Sequence, residues 1–166
     1  IKPAGFTGQV SLNVPYTFSI YLSSGEFKYV GLRVVSVSST GVEDTNVDPN
    51  ESESYTGFRY PDHFTGVFDL TAGLCTNQFE SVSGAFLDYS ISKTENGWLR
   101  LSITGIPNKL TETFTLPASS SVRAIIIPLT GATDAVYTDT PVGNGSNGLY
   151  VWGAQLERGI KPSAYV

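Results

Sequence analysis

The residues that could perform catalysis are few and lie far apart in the sequence. His63 is the only histidine and Cys75 the only cysteine, so a serine–histidine–aspartate triad or a cysteine–histidine pair would have to use one of them. His63 lies in what reads as a loop entering a strand. Cys75 has no neighbour that would activate a thiol, and we expect it to be a small buried apolar residue. The sequence therefore predicts no nucleophilic catalysis.

A glycosidase would need two carboxylates on either side of a cleft, roughly 5 to 9.5 Å apart. The candidates on predicted strands are Asp69, Asp88 and Glu157. They belong to separate strands, and no motif joins them. We predict that the chain is not an enzyme and assign it no catalytic residue.

A second set of side chains has the chemistry to bind sugar. Aromatic faces stack on the C–H surfaces of sugars, and arginine and glutamine donate hydrogen bonds to hydroxyls. Alternation with period two places several such residues opposite the predicted core. The candidate ligand-binding residues are Trp98, Arg100, Arg33, Tyr29, Tyr21 and Gln155. A solvated face, or one covered by a neighbouring subunit, is the alternative, and the sequence does not determine which of these strands share a sheet.

An acidic segment within residues 39–62 resembles a calcium loop. Asp44-Thr-Asn-Val-Asp48-Pro-Asn50 has oxygen ligands at every second position. However, Pro49 stands where the sharp-turn glycine belongs, and Tyr55 stands where the closing carboxylate belongs. We favour a solvated acidic loop that is dispensable for folding. We predict no cofactor and name no metal ligands, and calcium stays an open alternative.

The elements that must position these residues are short strands. Apolar residues alternate in three of them: Phe18, Ile20 and Leu22; Val30, Leu32 and Val34; and Leu99, Leu101 and Ile103. Asn96-Gly97 is a strong hairpin signal, and residues 122–129 form an apolar run suited to a strand buried on both faces. About ten strands with turn signals between them, and no repeat, predict one domain spanning residues 1–166. We expect an all-β, antiparallel two-sheet β-sandwich.

The closing strand carries the bulkiest stripe of the chain. With a strict period of two, Tyr150, Trp152, Ala154 and Leu156 fall on one face. Large apolar side chains are mostly inside. We therefore predict that Trp152 belongs to the core and is a poor ligand platform. Trp98 follows the hairpin and lies either at the rim of its sheet or as a lid on the end of the core.

Four segments near the end of the chain resemble a β-sandwich module found repeatedly in bacteriophage tail fibres, tailspikes and related virion proteins. They are Tyr137-Thr138, Gly143-Asn-Gly-Ser-Asn-Gly148, Leu149-Tyr-Val-Trp-Gly-Ala-Gln-Leu-Glu157 and Pro162-Ser-Ala-Tyr165. Fainter matches are Asn96-Gly-Trp-Leu-Arg100, Val67-Phe-Asp-Leu-Thr-Ala-Gly73 and Tyr16-Thr-Phe-Ser-Ile-Tyr21. The Trp-Gly-Ala-Gln-Leu-Glu word is fairly specific, whereas residues 39–62 depart from the family, which usually carries something shorter there.

The resemblance implies a jelly-roll of the carbohydrate-binding kind, in an extracellular virion tail protein. The partners that we expect are a glycan or host-surface polysaccharide and other fibre subunits, as a homotrimer. The resemblance implies no particular sugar, because one sandwich hosts many functions. A structural or oligomerisation module without sugar binding is the second alternative, and a glycan hydrolase or lyase is the third.

Composition excludes several partners. The net charge is −5, and no basic cluster is present to release counterions from nucleic acid or to bind an anionic membrane surface. The sequence shows neither a signal peptide nor a run of about 20 apolar residues, so we expect no membrane insertion. The sequence contains no methionine and begins at Ile1, so we expect a domain excised from a longer fibre protein.

Overall fold

The computed structural model describes residues 13–37, 62–81, 84–107, 121–132 and 148–165. The eight strands are β1 Tyr16–Ser24, β2 Tyr29–Val37, β3 Asp62–Asp69, β4 Leu74–Glu80, β5 Ala85–Lys93, β6 Leu99–Ile106, β7 Ser121–Leu129 and β8 Leu149–Arg158. Every element in these ranges is a strand. Within them, no helix is long and apolar enough to cross a membrane.

The strands form two antiparallel four-stranded sheets that pack face to face. Sheet I has the order β5-β6-β1-β8 and sheet II the order β4-β3-β2-β7. Three pairings are non-local: β1 pairs with β6 and with β8 in sheet I, and β2 pairs with β7 in sheet II. The pairings of β5 with β6, β2 with β3 and β3 with β4 join consecutive strands. The predicted fold class, an all-β antiparallel two-sheet β-sandwich, is confirmed.

The core lies between the sheets and contains the residues that the alternation indicated. The predicted inward residues of β1, β2 and β6 are at most 1% exposed, apart from the half-buried Leu99: Phe18, Ile20, Leu22, Val30, Leu32, Val34, Leu101 and Ile103. Phe64 and Phe68 of β3 complete the layer. Burying such a side chain stabilises the fold by about 1.5 to 3 kcal/mol. This free energy favours the orientation in which the apolar side of each strand faces the core.

Two turns hold the hairpins of the sheets. At Asn96-Gly97, Gly97 has φ +83°, and the Thr94 N–H donates to the Trp98 carbonyl at 2.8 Å. The predicted hairpin between β5 and β6 is therefore present. Between β3 and β4, Asp69 Oδ1 accepts the Thr71 and Ala72 N–H groups, each at 2.8 Å, and closes the turn.

The structure of β7 differs from the expectation for it, and the acidic segment lies outside the described residues. The apolar run at 122–129 was expected to be buried on both faces, but β7 is an outer strand of the described sheet II, and residues 124–128 are half-buried. An outer strand has a neighbour on one side only, which leaves the other side more accessible. The calcium-like segment of residues 44–50, and all of residues 39–62 except Asp62, lie outside the described residues. Their predicted roles stay predictions.

Candidate functional site

The predicted ligand-binding residues fall on opposite sides of the sandwich. Tyr21 lies on β1, Arg100 on β6 and Gln155 on β8, all in sheet I. Tyr29 and Arg33 lie on β2, in sheet II. Outward residues of the two sheets point away from each other, so one ligand cannot contact both groups. The candidates therefore do not share one face. The sequence left this open, because alternation gives the direction of a side chain and not the sheet to which its strand belongs.

Arg33 and Tyr29 have structural surroundings in sheet II. Arg33 is 3% exposed, and its Nε donates to Thr65 Oγ1 at 2.8 Å. Tyr29 packs on a small apolar cluster around Val67 and Leu129, with Lys28 Nζ 5.2 Å from the ring centroid. Arg33 is too deeply buried to meet a ligand at the surface.

Three planar groups form a row across the outer face of sheet I. The register places Tyr21 of β1 directly between Arg100 of β6 and Trp152 of β8. The Tyr21 and Trp152 rings stack, with centroids 4.4 Å apart and planes 15° from parallel. Arg100 Cζ lies 5.4 Å from the centroid on the Tyr21 ring. Arginine over an aromatic face is attracted by the ring quadrupole, so the row is held together by stacking.

Trp152 is not a core residue, and the prediction that it is buried was wrong. Its side chain is 46% exposed. The reason is a β-bulge: Ser19 pairs with Gln155 and Tyr21 with Trp152, so two residues of β8, Gly153 and Ala154, oppose one residue of β1. Gly153 has φ +62°. The extra residue reverses the alternation, so residues before it follow one parity and residues after it the other.

The bulge sends Trp152 outward and still brings Leu156 inward. Leu156 pairs with Phe18 and packs against the core. A glycine inside an otherwise alternating strand is itself a sign of a bulge. Gly153 was therefore the signal in the sequence that could have corrected the facing of Trp152.

Tyr165 meets the Tyr21–Trp152 pair from the side. Its ring is nearly perpendicular to both, at 5.0 Å from Trp152 and 6.2 Å from Tyr21. A Cβ at position 153 would lie 2.9 Å from Tyr21 Cδ2 and 3.3 Å from Tyr165 Cδ2. Glycine at this position therefore serves both the backbone conformation and the packing of the two tyrosines.

Residues 159–165, which we name the C-terminal strap, lie back across the outer face of sheet I. At its start, the Gly159 N–H donates to the Pro15 carbonyl at 2.9 Å, and Thr17 Oγ1 donates to the Gly159 carbonyl at 2.8 Å. Further on, the Ser163 N–H donates to Glu157 Oε2 at 3.0 Å and Ser163 Oγ to Glu157 Oε1 at 2.6 Å. The strap is thus fixed to the sheet at both ends.

Arg100 and Gln155, which were predicted to contact ligand, serve this strap. Arg100 Nη2 donates to the Ser163 carbonyl and lies 3.4 Å from both Ser19 Oγ and Gln155 Oε1. Arg100 Nε is buried and has no hydrogen-bond partner in the described part of the chain. The predicted contact of these side chains with a ligand stays a prediction, with the strap as their partner in this structure.

Trp98 is half-buried at the end of the hairpin. Its N–H donates to Thr94 Oγ1 at 3.0 Å, which fixes its backbone beside β5. The alternation of β6, continued by one residue before Leu99, places Trp98 on the same side of sheet I as Arg100, at the rim of the sheet.

The outer face of sheet I has a second, more exposed aromatic residue and little charge. Tyr150 is 66% exposed and precedes Trp152 by two positions, on the same face. Neither β1 nor β8 up to Leu156 contains a charged residue. Apolar rings among hydroxyls and amides suit a neutral ligand with both C–H and O–H groups.

The groups considered for catalysis have other surroundings. His63 is 7% exposed within β3, rather than in the expected loop. Cys75 is half-buried, its Sγ donates to the Asn77 carbonyl at 3.3 Å, and burial raises the pKa of its thiol, which disfavours the reactive thiolate. In the described ranges, no cluster of three or more His, Cys, Asp or Glu side chains could hold a metal. The absence of enzymatic activity stays a prediction.

Comparison with known proteins adds no assignment. Neither the protein-family models nor the curated proteins contain a match to this chain.

Proposed function

We propose that this chain is a glycan-binding, receptor-recognition module of a bacteriophage tail fibre or tailspike, and that its sugar platform is the open face of Trp152. The observation that carries the proposal is the half-exposed Trp152 ring, 46% accessible, within a packed aromatic group. A ring held rigidly by neighbours loses little entropy when a ligand stacks on it. The phage origin and the location in the virion rest on the resemblance of the closing segments.

The geometry of the row leaves one face of Trp152 free. One face of the ring contacts Tyr21 at 4.4 Å. If Tyr165 covered the other face, it would be much farther from Tyr21 than the observed 6.2 Å, since it is 5.0 Å from Trp152. Tyr165 must therefore lie beside the pair. Because β8 is the outermost described strand of sheet I, the free face of Trp152 looks over the edge of the sheet.

The segments that carry the resemblance contact one another. In the Trp-Gly-Ala-Gln-Leu-Glu word, Trp152 contacts Tyr165, and Glu157 accepts hydrogen bonds from the Ser163 N–H and from Ser163 Oγ. Ser163 and Tyr165 belong to the Pro-Ser-Ala-Tyr word. The two words thus form one structural unit, the strap and its anchors. The contact between the two words supports the proposal that the chain belongs to the module class. The exposed aromatic face then determines which ligand binds.

The test is a glycan array with the purified chain, followed by Trp152→Ala. The chain has two tryptophans, so Trp98→Phe leaves Trp152 as the only tryptophan, and sugar stacking should change its selectively excited emission. We expect binding to a bacterial surface glycan that Trp152→Ala abolishes while the melting transition stays cooperative. Leu87→Ala, an exposed residue of β5, is the control. No binding on the array, or full binding by Trp152→Ala, would contradict the proposal.

The second candidate is a structural module that packs between fibre subunits. Exposed apolar side chains of β8 and of the strap favour it: Val151 is 36% exposed and Ile160 63% exposed, and exposed apolar surface is typical of protein interfaces where it is contiguous. In that case the chain should self-associate, and Trp152→Ala should dissociate the assembly. Sedimentation velocity over a concentration series distinguishes this outcome from glycan binding by a monomer.

A further inference from the structure

A second row of residues runs beside the first on the outer face of sheet I. Ser23 of β1 pairs with Tyr150 of β8, two positions from the Tyr21–Trp152 pair. On the other side, β1 pairs with β6 up to Leu22 and Leu99, and the same register continued by one position puts Trp98 beside Ser23. The second row is therefore Trp98, Ser23 and Tyr150, with a small residue where the first row has Tyr21.

The low centre of this row makes a trough between two aromatic residues. Strands are about 4.7 to 4.9 Å apart, so the backbones of Trp98 and Tyr150 are separated by about two such spacings. A pyranose ring between two aromatic faces needs a contact distance of about 3.5 to 4.0 Å on each side, which fits that width. The half-buried Ser23 supplies a hydroxyl at the floor, able to donate and to accept a hydrogen bond.

We propose that the trough formed by Trp98, Ser23 and Tyr150 is a second sugar subsite, which with the Trp152 platform binds two units of one neutral polysaccharide chain. This inference rests on the proposed function. The trough lies over β1, and the free face of Trp152 looks over the edge beyond β8. The two subsites are therefore separated by about 6.5 to 7 Å along the strands and by more than one strand spacing across them, which suits two units of one chain with another unit between them. The recognised unit is then a stretch of polysaccharide rather than one terminal sugar.

The charges around the two rows favour a neutral ligand. The cation of the face, Arg100, is bonded to the Ser163 carbonyl of the strap. Near the trough, Glu95 is exposed in the hairpin turn that precedes Trp98, and it would repel an anionic sugar. Recognition through stacking and hydroxyl contacts should also be insensitive to salt, because no ion pair is screened.

The experiment measures affinity against oligosaccharide length. The probes are glucan, mannan and galactan oligomers from mono- to hexasaccharide, titrated calorimetrically into the full chain at low and high salt. We expect affinity to rise by about tenfold or more from one unit to two or three, the increment of one added aromatic contact, with no effect of salt. An affinity that is equal for all lengths, or one that falls with salt, would overturn the proposal.

Ser23→Phe fills the trough without disturbing the strand, since phenylalanine suits a β-strand. We expect this variant to lose the gain in affinity with length and to keep the affinity for a single unit. Ser92→Phe, at an exposed position of β5 in the same sheet, is the control and should bind like the wild type. Ser23→Phe that binds long oligomers as well as the control does would exclude the trough as a subsite.

Two further readouts separate this inference from the proposed function. In Trp152→Phe, Trp98 is the only tryptophan, and its emission should shift with oligosaccharides but not with a monosaccharide. If Trp152→Ala abolishes binding while Ser23→Phe and Trp98 emission are unaffected, the function stands and the second subsite fails. If Ser23→Phe abolishes binding and Trp152→Ala does not, the trough stands and the platform fails. Absence of binding to any probe removes both.

Discussion

The outer face of sheet I at β8 and the outer cluster of sheet II around Val67 and Leu129 follow the same alternating pattern but differ in exposure. On sheet I, Tyr150 and Trp152 are 66% and 46% exposed. On sheet II, the outward residues Val67 and Leu129 are fully buried, and Arg33 is 3% exposed. Alternation therefore shows on which side of its sheet a residue lies, and it does not show whether that side meets water. An aromatic residue on an outer face is a ligand candidate on sheet I and a packing residue on sheet II.

The largest effect should come from emptying the outer cluster of sheet II. Leu129→Ala removes a fully buried side chain, and such changes cost about 2 to 5 kcal/mol of unfolding free energy. Tyr150→Ala is the matched change on sheet I and should stay within about 0.5 kcal/mol. Urea unfolding of both variants measures the difference. Equal losses would show that the two outer faces do not differ in their energetic role.

Gly153→Ala should have the next largest effect, since it attacks the bulge that turns Trp152 outward. Alanine at φ +62° is strained by about 1 to 2 kcal/mol, and its Cβ would also crowd Tyr21 and Tyr165. We expect a loss of about 2 kcal/mol together with a weaker near-ultraviolet circular dichroism signal from the aromatic group.

Gly73→Ala is the control for backbone strain alone. Gly73 has φ +65°, and no atom lies within 4 Å of the added Cβ. It should show the strain without the change in the aromatic signal. A Gly153→Ala variant that behaves like Gly73→Ala in both measurements would mean that the tyrosines do not depend on the space beside Gly153.

Much of the fold was predictable because its signals are local. Strong alternation identified the inward residues of β1, β2 and β6, and Asn96-Gly97 identified a hairpin whose turn depends on neighbouring residues. The sequence left open whether Tyr29 and Arg33 share a sheet with the other candidate ligand-binding residues. Which distant strands pair depends on the whole topology, and no period within a strand encodes it.

The site was less predictable than the fold for two physical reasons. The bulge at Gly153 reverses the parity of β8, so a strict period of two puts Trp152 on the wrong face although the strand itself is correctly located. The contacts of the strap with sheet I, such as that of Arg100 with Ser163, join residues that are far apart in the sequence. Glycine inside a strand is readable in a sequence, whereas a contact made by the folded strap is not.

Trp152→Ala tests whether a half-exposed aromatic ring contributes less to the free energy of unfolding than a buried one. The ring makes aromatic contacts with Tyr21 and Tyr165, and a pair of this kind contributes about 0.5 to 1.5 kcal/mol. We expect a loss of about 1 kcal/mol, below the 3 to 5 kcal/mol typical of a buried aromatic residue. Chemical denaturation of the variant measures it. A loss in the larger range would restore the prediction that Trp152 belongs to the core.

The smallest effect concerns the charge at the turn beside Tyr29 of sheet II. The Ala72 N–H holds the pKa of Asp69 below its ordinary value, with further help from Thr71 and Lys28 and against the effect of burial. A carboxyl whose pKa is lower in the folded state stabilises the fold above its unfolded pKa of about 4, and that stability is lost as the pH falls through the folded value. We therefore expect the urea midpoint to decrease as the pH is lowered below about 4.

Asp69→Asn keeps an oxygen for the two N–H groups but has no charge to titrate, so it should reduce this decrease. Asp88→Asn, at an exposed position of sheet I, is the control and should leave the decrease intact. An identical acid profile for Asp69→Asn and the wild type would show that this turn contributes nothing to the pH dependence of stability.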